Sequence, residues 1–108
     1  MTTQLIRGDD WRLRGVYGEV VNDVFSPLTI SGMTIASEMR KGAEVVTFTV
    51  VDRESEDGTG SFWLVADDSI TLVEAGNWLH DLEFIINGQK TSTLTRTITV
   101  LSDVTNAS

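Results

Sequence analysis

A single histidine, His80, and the absence of cysteine bound the chemistry this chain can perform. Acid–base catalysis near neutrality calls for a group that titrates there, and histidine is the side chain that does so unperturbed. His80 stands between Leu79 and Asp81 in the stretch GNWLHDLEFII, Gly76 to Ile86. On an extended chain Trp78, His80, Leu82, Phe84 and Ile86 share one side, and a histidine among them is expected to be a core residue held by a hydrogen bond. A Ser-His-Asp set assembled from Ser61, His80 and Asp81 lacks the Gly-x-Ser-x-Gly turn that would present the serine. Gly58-Thr59-Gly60-Ser61 has glycines but neither the lysine nor the helix of a phosphate loop. The acidic neighbours Asp9-Asp10 and Asp67-Asp68 would point to opposite faces of a strand, a poor start for paired carboxylates. The carboxylates of Asp52 to Gly58 do not follow the order of a helix-flanked calcium loop. The expectation is a protein that is not an enzyme, with no catalytic residue, no metal and no cofactor.

Binding is the remaining kind of chemistry. If Phe62 and Leu64 face inward, Trp63 faces outward, and an exposed indole could stack on a sugar, so a carbohydrate-binding module is one reading. Exposed sheet edges and polar termini are the other, because an open edge can extend a partner's sheet. The partner-binding candidates are Thr3, Leu5 and Arg7 near the start, Trp63, and Asp103 and Val104 near the end. Arg7-Gly8-Asp9 is also the tripeptide that integrins recognise, but three residues recur by chance.

Strands are what must position these residues. Gly76 to Ile86 is read as the central strand, turned at Asn87-Gly88, the strongest short hairpin signal because both residues must take positive φ. Thr3 to Arg7 reads as a short first strand closed by Gly8-Asp9-Asp10. A half-buried strand with Trp11 inward then alternates Trp11, Leu13, Gly15 and Tyr17 against Arg12, Arg14, Val16 and Gly18. Asn22 to Pro27 is read as a loop, since Asn22-Asp23 and the chain's one proline break the pattern. Met33 to Met39 alternates again, and the β-branched density of Ala43 to Val51 favours a further strand. Asp52 to Gly58 is read as a solvated loop, because its like charges repel and resist burial. Thr59 to Val65 is the next strand, and Asp67-Asp68-Ser69 before Ile70 to Ala75 suggests one short helical turn near 69–75, ended at Gly76. Thr91 to Leu101 sets Leu94, Arg96, Ile98 and Val100 against a threonine ladder. About seven antiparallel strands with turns between them predict an all-β, two-sheet, immunoglobulin-like sandwich, with an antiparallel barrel as the alternative. Trp11, Tyr17, Met39, Phe48, Phe62, Trp78, Leu82, Phe84 and Ile98 are its expected core.

At 108 residues the chain is expected to be one domain, residues 1–108, with short polar terminal arms. A net charge of −8 argues against gripping nucleic acid through phosphates, which takes a basic face. No apolar run approaches the length of a membrane-spanning helix, and Met1 to Gln4 has no signal-peptide character, so neither membrane nor export is expected.

Read as a whole, the chain resembles small β-sandwich modules of tailed-bacteriophage virions, including the N-terminal domain of the baseplate upper protein family and related head- and tail-associated proteins. Gly8-Asp9-Asp10-Trp11, Pro27 to Thr34, Glu38-Met39-Arg40, Gly60 to Leu64, Ala75 to Glu83, Thr97 to Val100 and Asp103-Val104-Thr105 carry the resemblance. It implies a non-catalytic building block of the virion, made in the bacterial cytoplasm and present in many copies or as a homo-oligomer. Its partners would be other virion proteins, the major capsid protein or tail and baseplate proteins. No fibre region follows the sandwich, and the acidic Asp52 to Gly58 loop is longer than the pattern. These departures move the expectation from tail or fibre adaptor toward a capsid decoration, or cement, protein.

Overall fold

Alternation of apolar and polar side chains, with few helix formers between turns, gives a molecule made almost wholly of strands. The computed structural model describes residues 3–67 and 70–102. In chain order the elements are β1 (Thr3–Ile6), β2 (Trp11–Val16), β3 (Gly18–Val21), β4 (Val24–Pro27), β5 (Met33–Lys41), β6 (Glu44–Thr47), β7 (Thr49–Asp52), α1 (Glu54–Asp57), β8 (Ser61–Ala66), β9 (Gly76–Ile86) and β10 (Gln89–Leu101). A five-stranded sheet runs β1-β10-β9-β5-β6, a three-stranded sheet runs β2-β8-β7, and β3 and β4 form a separate two-stranded ribbon. All pairings are antiparallel except β1 with β10, which is parallel. The fold is the expected all-β, immunoglobulin-like sandwich.

β9 is the central strand, flanked by β10 and β5. Trp78, His80, Leu82 and Phe84 are buried on its inner side, while Leu79 is exposed on the other and Ile86 emerges at the strand end. Asn87 and Gly88 both take positive φ, 53° and 76°, as a two-residue hairpin turn demands. The other sheet contributes Trp11, Leu13, Phe62, Leu64 and Ala66, and Phe48 joins the two layers. Phe48 lies between β6, which pairs with β5, and β7, which pairs with β8, so one run of chain changes sheets there. Its amide donates to the Ser37 carbonyl at 2.9 Å and its ring is buried. Of the expected core only Tyr17 is half-buried, packed on Phe84 with ring centroids 4.7 Å apart.

Three local expectations change. Residues 70–75 form no helix, and Asp68 and Ser69 lie outside the described residues. The Thr71 carbonyl, which a helix would use internally, accepts from the Gly8 amide instead, while those of Val73 and Glu74 accept from Arg7 Nε and Trp78 Nε1. The helical turn is instead α1, inside the stretch expected to be a solvated loop, where Asp52 Oδ1 accepts from the Glu54 amide at 2.8 Å. Asn22 to Pro27 is not a loop either, since it contains the turn and second strand of the β3–β4 hairpin.

Candidate functional site

Asn22 and Asp23 both adopt left-handed φ, 52° and 64°, which closes β3 onto β4 in a tight two-residue turn. The resulting hairpin pairs Val20 with Phe25 and Val21 with Val24. All four are exposed, at 67, 48, 52 and 61% respectively, so the arm displays apolar residues on both of its faces. Scattered surface valines are ordinary, but these four apolar residues are gathered on one hairpin.

The root of this arm is tightly held. The Tyr17 amide donates to the Gly60 carbonyl at 2.9 Å, and the Leu28 amide donates to the Tyr17 carbonyl at 3.0 Å. Glu54, on α1, ties both loops together: Oε2 accepts from the amides of Gly60 at 2.7 Å and Ile30 at 3.1 Å, and Oε1 accepts from Thr29 Oγ1. The Gly60 amide, and after it the Ile30 amide and the Thr29 hydroxyl, hold the Glu54 carboxyl below the usual range. Gly60 sits at φ +83°, and a Cβ there would stand 2.4 Å from the Tyr17 carbonyl oxygen and 2.8 Å from that of Leu28. Gly60→Ala is therefore expected to cost about 2 kcal/mol and to loosen the arm first. Amide hydrogen exchange should show protection lost at Tyr17 and Leu28 before the β9–β10 ladder opens.

Beneath the arm lies a groove of ≈ 330 Å³. β2, at the edge of its sheet, supplies Arg14, Gly15 and Val16; β10 supplies Leu94 and Arg96; Gly18 and Phe25 of the hairpin form a wall, and Phe62, Leu64, Leu82 and Phe84 the floor. Among the described residues β1 covers only Ile98 to Leu101 on this side of β10, and no described strand pairs with that edge over Leu94 to Thr97. Both charged side chains of the groove are arginines, on a protein of net charge −8.

The six residues singled out from the sequence are not brought together. Thr3 pairs through its backbone with Ile98, in β1 at the edge of the five-stranded sheet. Leu5 points into the core and is buried, so it offers no contact surface. Arg7 turns back on the chain, Nε donating to the Val73 carbonyl at 2.8 Å. Asp103 and Val104 lie outside the described residues. Trp63 does lie on the outward side of β8, but it is half-buried between arginines from the two flanking strands' sides. The guanidinium of Arg12 stands 4.4 Å from its ring centroid and that of Arg53 3.8 Å, with Arg53 itself tied to Asp57 at 3.2 Å. An indole engaged this way is not an open platform for a sugar ring. The apolar arm was missed because Asn22-Asp23 was read as a break, although Val20-Val21 before it and Val24-Phe25 after it are a hairpin signature.

His80 is fully buried, with Nε2 2.6 Å from Ser37 Oγ and Nδ1 3.1 Å from Arg96 Nε. A guanidinium only donates, so Nδ1 must accept and Nε2 carries the proton that goes to Ser37. That tautomer cannot take a proton from the serine hydroxyl. Burial and then the charge of Arg96 push the His80 pKa down to about 4, with Asp81 acting weakly the other way. Asp81 itself lies on the outer face, paired with Arg40 and accepting from Thr95 Oγ1, and Ser61 Oγ donates to the Asp57 carbonyl. Ser61, His80 and Asp81 therefore form no triad.

The fold and this surface define an all-β sandwich module with a projecting apolar arm. No protein-family model and no curated protein matches the chain. Among solved structures, part of a candidate glycoside hydrolase from Bacteroides vulgatus is similar with a TM-score of 0.52 at 14% identity, covering 94% of this chain. The chain spans 16% of that protein, so the likeness is one of fold. Murine CRIg aligns over 94% of this chain and 91% of its own, at 11% identity and a TM-score of 0.42.

Proposed function

We propose that this domain is a non-catalytic assembly module that works through protein contacts. The β3–β4 arm carries this reading: it exposes Val20, Val21, Val24 and Phe25 on a rigid mount, whereas the buried His80 is committed to Ser37 and Arg96. The resemblance to tailed-phage virion modules supplies the setting, a decoration protein on the outside of the capsid, with tail or baseplate adaptor as the alternative. A shell ornament needs no turnover, and weak contacts repeated over a lattice stabilise the assembled state by mass action. Carbohydrate binding is the weaker reading, because the indole it needs lies between Arg12 and Arg53.

The test is occupancy on purified particles. Quantitative gels are expected to show the wild-type chain in amounts comparable to the major shell protein. The double variant Val21→Glu, Val24→Glu, which buries two carboxylates in any contact the arm makes, is expected to be largely absent. Full occupancy by the variant would overturn the arm as the contact, and a few copies lost together with the tails would replace the capsid reading by the adaptor.

A further inference from the structure

The arm and the groove beneath it complement one another, but not within one molecule. Residues 18–27 carry two acids, Glu19 and Asp23, and no base. The groove carries Arg14 and Arg96 and no acid, and Arg14 is exposed with no ion pair among the described residues. Apolar surface matches apolar surface as well: Val21 and Val24 on the arm, Val16 and Leu94, each half exposed, at the groove. The backbone matches too. Among the described residues β3 and β4 pair only with each other, and no described strand pairs with the outer edge of β10 over Leu94 to Thr97. The arm's Phe25 already forms a groove wall, which leaves its outer face and tip to go elsewhere.

We propose that the occupant of this groove is the β3–β4 arm of a second copy of the same chain, the two copies clasping each other reciprocally. The incoming ribbon adds along the open edge of β10 and sets its apolar tip against Val16 and Leu94, with Glu19 and Asp23 meeting Arg14 and Arg96. Because the arm and the groove are neighbours on one molecule, a two-fold axis makes both contacts at once and closes the assembly as a dimer. This rests on the assembly reading only in taking the arm as a contact surface.

Analytical ultracentrifugation of the purified protein is expected to show a concentration-dependent dimer that weakens as salt is raised. Arg14→Glu and Glu19→Arg are each expected to raise the dissociation constant by at least about tenfold, since each sets like charges together at both contacts. An equimolar mixture of the two single variants restores opposite charges at both contacts and is expected to recover most of the association. Unchanged denaturation midpoints, expected because both side chains are exposed, separate this from misfolding. A protein still monomeric at millimolar concentration would overturn the proposal. So would a dimer indifferent to both substitutions, or a mixture no better than its components. If such a monomer nevertheless needs Val21 and Val24 to join particles, the arm remains a contact and its occupant is a foreign protein.

Discussion

Trp78→Ala is expected to lower unfolding stability by about 3–5 kcal/mol, a large part of the roughly 5–15 kcal/mol that a domain of this kind has. Trp78 is 1% exposed at the centre of the five-stranded sheet, with the fully buried Ile98 as its cross-strand neighbour. The sheets cannot close over the volume an indole leaves, because β9 is hydrogen-bonded on both sides, so the transfer and cavity terms add. The indole Nε1 also donates to the Glu74 carbonyl at 2.9 Å, so truncation frees an acceptor that helps hold the irregular 70–75 segment. Urea denaturation followed by circular dichroism measures the loss. An unaltered midpoint would remove Trp78 from the core.

A second large effect is expected from pH. The His80 pKa is about 4 in the folded chain against 6.5 unfolded, so between these values the unfolded chain binds the extra proton. Folding stability is then fully present above 6.5 and falls as pH drops toward 4, by about 3 kcal/mol at 1.4 kcal/mol per unit. Protonation would set Nδ1–H against Arg96 Nε–H, two donors and two cations in one buried contact. Glu54, Glu74 and Asp81 also have lowered pKa values, but as carboxylates they withdraw their stabilisation at still lower pH. His80→Gln separates the two: it is expected to be less stable at neutral pH and to lose the dependence between 6.5 and about 4. A variant that kept the wild-type slope there would assign the effect to other groups.

Period-two patterning made β9 legible in advance, including which side of it is buried, because a strand has only two sides and one held Trp78, Leu82 and Phe84. The turn at Asn87-Gly88 was legible for a similar reason, since few residues tolerate its φ values. The same chemistry at Asn22-Asp23 was passed over because the nearby Pro27 suggested a break, and an edge position where proline is tolerated is invisible in one dimension. The helix expected near 69–75 shows the opposite limit. Capping residues were present, but the Gly8 amide, distant in sequence, takes the Thr71 carbonyl that the helix would have used.

The sequence by itself determined the all-β class, the central strand, nearly the whole core and the acidic surface, because these follow from alternation, turn stereochemistry and net charge. Only the tertiary structure decided what the surface offers. It took Leu5 into the core, put Trp63 between Arg12 and Arg53, fixed the His80 tautomer, and set an acidic apolar arm beside a groove holding Arg14 and Arg96. Each of these joins residues from strands far apart in the chain, and local preference carries no information about which distant strand will lie alongside.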